Sequence, residues 1–167
     1  MTVPGLIGIC RIEIEIWLFK FCIGGKMREI ITLEDKNILF SSPKAMHDEI
    51  MTHIEVVGDA IRIEYGKVAD NDYWKPYKKI MVTYFFDTNE GYILDLIKVG
   101  HKKSTVKCYM NDPKMIEDLN SWNMAMFMFS LDLWGNMKLH FNAWKKHKWR
   151  NAELQFTPIK IQYDYEE

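Results

Sequence analysis

Between residues 54 and 110 the chain alternates apolar and polar side chains in short runs separated by turn residues, and no other feature constrains its fold as strongly. Ile61, Ile63 and Tyr65 alternate with Arg62 and Glu64, so one side of that run meets a core and the other meets water. Gly58-Asp59 separates it from Ile54–Val57, and glycine supplies the positive φ that a two-residue hairpin turn needs. Ile80–Phe86 and Tyr92–Val99 read as strands joined by the hairpin loop Asp87–Gly91, and Gly100–Lys103 turns the chain into Ser104–Met110. Consecutive hairpins predict an antiparallel meander of about five to seven strands.

Helix signals flank this region. Ser42-Pro43 offers an N-cap followed by a first-turn proline, which predicts a short helix over 43–53. Asp112-Pro113 repeats the device and opens the longest expected helix, 113–134, whose Ile116, Leu119, Trp122, Met126, Phe129 and Leu133 trace one apolar stripe. Gly135 would stop it, and Met137, Phe141 and Trp144 suggest a second helix over 137–148. Leu154–Phe156 and Ile159–Tyr163 read as a last strand, placed at an edge because Pro158 lacks the N–H that a central strand uses. The expected fold class is therefore α+β: an antiparallel sheet with the 113–134 helix packed on one face.

The chain has 167 residues, 48% of them hydrophobic, with a net charge of -1. That balance excludes a disordered chain and one that is basic overall. With no repeat or linker, 27–167 reads as a single domain. Residues 1–26 contain no signal peptide, since the first basic residue is Arg11, and Arg11, Glu13, Glu15 and Lys20 interrupt any membrane span. They read either as an N-terminal strand or as a translated leader, because Ile-Gly-Gly-Lys-Met at 23–27 is what an in-frame ribosome-binding sequence before a start at Met27 would encode. Cys10, Cys22 and Cys108 include no CxxC pair, which favours a reducing, cytoplasmic setting. Arginine occurs only at 11, 28, 62 and 150 against a large excess of lysine. This usage suits an AT-rich bacterial or phage genome and an accessory protein of a phage or mobile element.

Two segments are candidate contact surfaces. Met124, Met126, Phe127 and Met128 make the middle of the expected long helix apolar all round, and flexible methionine suits adaptable binding surfaces. A helix crossing a sheet would bury the same residues as core. The loop residues Tyr73, Trp74 and Tyr77 could anchor a partner or cover the sheet end. The leading expectation is thus a small, soluble, non-catalytic binding protein that uses a partner or self-association surface, most simply as a homodimer.

The second segment has a different chemistry. Lys138, Lys145, Lys146, Lys148 and Arg150 interleave with Trp144 and Trp149, and no acid occurs from Gly135 through Ala152. Lysines there could neutralise phosphates while tryptophans stack on bases. Lys102 and Lys103 lie in another acid-free basic stretch between Lys98 and Lys107, and the two stretches could converge on one anion site. This predicts, as an alternative, a nucleic-acid or nucleotide-phosphate binder. A hydrolase without a recognisable motif is the third reading, since there is no GxSxG, P-loop, GxGxxG or HExxH. The histidine spacings, such as the six residues from His47 to His53, do not suit one metal ion. No catalytic residue, metal or cofactor is therefore assigned from sequence.

Overall fold

The computed structural model of the protein describes residues 21–23, 26–32, 46, 49–66, 79–101, 103–132 and 135–166. Its strands are β1 (Phe21–Ile23), β2 (Lys26–Thr32), β3 (Ile50–Val57), β4 (Ala60–Tyr65), β5 (Lys79–Phe86), β6 (Tyr92–Lys98), β7 (Thr105–Met110), β8 (Asn123–Leu131), β9 (Met137–Lys145), β10 (Lys148–Phe156) and β11 (Pro158–Glu166). One helix, α1 (Pro113–Leu119), stands between β7 and β8. All 11 strands belong to one hydrogen-bonded sheet in the order β1-β2-β11-β5-β4-β3-β8-β9-β10-β6-β7, and every pairing is antiparallel.

The sheet is not flat. β3 and β8 share only the pairs Ile50↔Ala125 and Met51↔Met124, and the sheet folds at this seam. Tyr84 of β5 and Phe156 of β10 stand five places apart in the strand order, yet their rings meet edge to face at 5.6 Å. Five strand spacings would hold them ~24 Å apart in a flat sheet. Two layers therefore close on each other: β1-β2-β11-β5-β4-β3 forms the first, and β8-β9-β10-β6-β7 the second. The inward residues interdigitate, including Ile61, Ile63 and Tyr65 from β4, Val82 and Tyr84 from β5, and Leu139 and Phe141 from β9, together with Leu154 and Tyr163. Burial pushes the phenols of Tyr65 and Tyr84 well above their usual range, so both stay neutral in this core.

Several local expectations hold. Gly58 takes φ +60 in the turn joining β3 to β4, where Val57 faces Ala60. Asp112 caps α1 by accepting from the Met115 N–H at 3.1 Å, with Pro113 in the first turn.

The α+β class does not hold. The described residues contain a single short helix in a mostly antiparallel sheet, and no long helix crosses it. The stretch expected as helix 113–134 is helical only to Leu119, then turns at Asn120 and Ser121 and runs on as β8. Asn120-Ser121-Trp122-Asn123 is rich in residues that compete with helical hydrogen bonding. The run beyond it is almost wholly apolar, so its spacing fits a strand as well as a helix. Met137–Lys145 is likewise β9 and not helix, because Met137, Leu139, Phe141 and Ala143 alternate inward at period two. The helix expected over 43–53 does not reach 53: β3 begins at Ile50 and Met46 has φ 50, while residues 43–45, 47 and 48 lie outside the described residues.

Two topological expectations also change. β5 and β6 do not form a hairpin. β5 pairs with β4 and β11, and β6 with β10 and β7, so Asp87–Gly91 carries the chain from one layer to the other. β11 is an interior strand between β2 and β5, with Pro158 as its first residue, a position that needs no ladder N–H. Thr157 alone links β10 to β11 across the layers.

Asn120 seals the seam. Once β3 leaves β8, the Ile54 N–H donates to Asn120 Oδ1 at 2.8 Å and Asn120 Nδ2 donates to Ile54 O at 2.8 Å. A side-chain carboxamide thus takes the place of a neighbouring strand and ties the end of α1 to β3.

Candidate functional site

Beyond the core, α1 stands over the inner face of the second layer. A groove of about 460 Å³ results. Its apolar surface comes from Leu96, Tyr109, Met115, Leu119, Trp122 and Ala143. Its charged surface comes from Lys98 on β6, Lys107 on β7 and Arg150 on β10, with Asp118 on α1 and the Thr105 hydroxyl.

Strand parity explains the convergence. Leu96 and Lys98 share the inward face of β6 with Leu94, while Lys107 opposes Leu96 and Thr105 opposes Lys98 across the β6–β7 ladder. Arg150 opposes Ala143 and belongs to the same inward set as Ala152 and Leu154. Three cations from three adjacent strands therefore meet over one apolar floor. Among the described residues none of the three forms an ion pair. Arg150 Nη1 donates to Trp149 O at 2.8 Å, which holds the guanidinium in place while other N–H groups stay available.

The other basic candidates scatter. Lys138 lies on the outer face, where its Nζ meets Glu153 Oε1 at 3.0 Å. Lys145, Lys146 and Lys148 are exposed at the tip of the β9–β10 hairpin, and Lys145 Nζ donates to Ser121 Oγ at 3.2 Å. Lys103 is exposed in the β6–β7 turn, and Lys102 lies outside the described residues. Trp144 and Trp149 face each other across β9 and β10 on the outer face, stacked at 5.3 Å with 15° between ring planes. They do not reach the groove. Lys98 and Lys107 bound a stretch already noted for its charge, whereas Tyr109 and Trp122 had no distinguishing signal in the sequence.

The methionine-rich surface largely dissolves into core. Met124 and Met126 are buried, Phe127 is half-buried beside the His140 ring at 5.9 Å, and Met128 is exposed. Tyr73, Trp74 and Tyr77 lie outside the described residues.

One arrangement had no sequence signal at all. Between Met126 and Met128 the β8–β9 register shifts, a bulge that turns Met128 and Ser130 to the outer face. Ser130 Oγ then lies 3.4 Å from His140 Nε2, and His140 Nδ1 lies 3.3 Å from Glu153 Oε2. The order is that of a nucleophile, a base and an orienting acid. These side chains nonetheless lie half-buried on the outer sheet face, and neither Ser130 nor His140 lines the groove or the cavity beside Gly91 and Thr157. Glu153 also holds Lys138 and accepts from Gln155 Nε2 at 2.8 Å. The row works as a cross-strand polar ladder.

No metal-binding group of His, Cys, Asp or Glu occurs among the described residues. No helix among them is long and apolar enough to cross a membrane. Comparison of the chain with protein-family models, curated proteins and solved structures finds no match. Fold and site together define a folded antiparallel sheet carrying a groove of mixed cationic and apolar lining.

Proposed function

We propose that the protein is a non-catalytic binding protein whose ligand is anionic and carries an aromatic or apolar part, a nucleotide phosphate being the class that fits. The observation that carries this reading is the convergence of Lys98, Lys107 and Arg150, none of them ion-paired among the described residues, on a groove that Trp122 and Tyr109 also line. Phosphate oxygens suit an arginine fork flanked by lysines, and an aromatic base gains by stacking on tryptophan or tyrosine. A volume of about 460 Å³ matches a site for a small molecule and is short for a folded partner. Asp118, which lines the same groove from α1, can accept a hydrogen bond from an exocyclic amine or a ribose hydroxyl.

Isothermal titration at low salt, with nucleoside phosphates and with inorganic phosphate in parallel, tests the reading. Nucleoside phosphates should bind, more tightly than phosphate alone, with an affinity that falls as salt rises. The Lys107→Glu/Arg150→Glu variant should lose the binding while keeping the parent's circular dichroism spectrum. Absence of binding to the parent, or equal binding by the variant, overturns it.

A further inference from the structure

Among the described residues β7 ends the sheet and pairs on one side only, with β6. The Asn111 N–H donates to Tyr92 O at 3.1 Å, which sets the phase of that ladder. Hydrogen-bonded residues alternate along an antiparallel pair. Thr105, Lys107 and Tyr109 therefore turn their amides and carbonyls to β6, while Val106, Cys108 and Met110 turn theirs to the open edge. The same three residues place their side chains on the outer face, where Val106 is 57% exposed and Met110 67%. Proteins usually blunt such an edge with a proline, a bulge or outward charge. β7 has no proline, its register to β6 is continuous, and its one charge, Lys107, lines the groove on the inner side.

We infer that β7 pairs with β7 of a second copy of this chain, about a two-fold axis through Cys108, to form a homodimer. The strand's own pattern selects both the occupant and the register. With Cys108 on the axis, Val106 faces Met110 of the second copy at two symmetric places, and every outward backbone group of Val106, Cys108 and Met110 finds a partner. An axis through Lys107 would set two lysines directly opposite, which is unfavourable. An axis through Tyr109 would carry Val106 past the strand end to face Asp112. The Cys108 axis instead sets Lys107 against Tyr109 of the second copy, a cation against an aromatic ring. Lys107 and Tyr109, on this edge strand, already line the groove. The second copy therefore extends that lining, and two grooves lie side by side across the axis.

Sedimentation velocity over a concentration series tests the dimer, using the parent chain and a Val106→Lys/Met110→Lys variant. Both positions are exposed, so the variant should match the parent in circular dichroism and thermal midpoint. The parent should dimerise with rising concentration, and the variant should remain monomeric throughout the same range. Spin labels at Cys108, in a Cys10→Ser/Cys22→Ser background, should report an interchain distance at the short limit of pulsed dipolar spectroscopy, since partners in such a pair have Cα atoms ~5.5 Å apart. A parent that stays monomeric, a dimer unaffected by the two lysines, growth beyond a dimer, or a long Cys108 distance each overturns the inference. Titration of the monomeric variant with nucleoside phosphate keeps the two proposals apart. Binding there leaves the groove reading standing without the dimer, whereas a dimer without binding leaves only the interface.

Discussion

The two layers use their cations differently. In the first layer the described cations are spent on neighbours: Arg28 Nε meets Asp164 at 2.6 Å, Arg62 meets Glu55 at 2.8 Å, Lys79 meets Glu64 at 2.6 Å, and Lys160 Nζ sits 3.9 Å from the Phe85 ring centroid. In the second layer Lys138 is spent in the same way on Glu153, but Lys98, Lys107 and Arg150 gather around a groove without an ion pair among the described residues. Charges paired across strands support a fold modestly. Like charges gathered on one groove repel one another, and Asp118, the acid that lines it with them, forms no ion pair with any of the three among the described residues. The contrast separates cations paired within the sheet from cations left available to the proposed ligand.

The largest test of this contrast removes what the groove hangs on. Asn120→Ala strips both partners from the buried Ile54 backbone, and we expect a loss of about 2–4 kcal/mol in urea unfolding. α1 would lose its tie to β3, so ligand binding should weaken although no groove cation has changed. A stability loss with unaltered binding would show that the groove does not depend on the seam.

A smaller effect sharpens the comparison directly. Arg62→Ala and Lys79→Ala should each lower stability by up to about 1 kcal/mol, since their partners are substantially solvated. Lys107→Ala and Arg150→Ala should leave stability within ~0.5 kcal/mol of the parent, or raise it slightly as repulsion is relieved. Denaturation midpoints in low salt decide the matter. Groove substitutions that destabilise more than the paired ones would erase the distinction.

The smallest effect concerns the outer face of the second layer. Cys108 is exposed, yet a hydrogen bond to Asp95 holds its thiol pKa above the ordinary value. The thiolate is the reactive form, so the thiol should react slowly near neutral pH. Asp95→Asn removes the carboxylate, lowers the pKa towards normal and should speed labelling at Cys108. Peptide mapping after timed alkylation at two pH values reads the change, and an equal rate in the variant contradicts it.

The sequence made strands legible wherever polarity alternated and a glycine marked the turn, as in β3, β4 and the run from Tyr92 to Met110. It misled where every residue was apolar. Met124 through Phe129 satisfies helical and extended spacing alike, and the short polar turn at Asn120–Asn123 decides between them. The β9–β10 turn was hidden too, because it is made by Lys146 at φ 55, where a glycine or asparagine would have advertised it. Losing that turn placed the basic segment on a helix and spread its charges around an axis. On β10 the same residues alternate, and only Arg150 reaches the groove. Convergence of the two acid-free stretches was therefore readable as an idea, while the residues that realise it required strand parity.

The place of β11 has a consequence for how the chain is assembled during synthesis. The ladders that build most of the second layer join β6, β7, β8, β9 and β10, all formed within residues 92–156. The edges of β2 and β5 that face β11 have no such local solution: the strand that lies between them comes after every other described strand, and Arg28 must wait for Asp164, 136 positions further on. Domains made at the ribosome fold as their segments emerge, and long-range pairing is slow because the connecting chain must first be closed into a loop. The groove-bearing layer can therefore take shape while β2 and β5 still present unpaired edges, and insertion of β11 is the step that joins the two ends of the molecule.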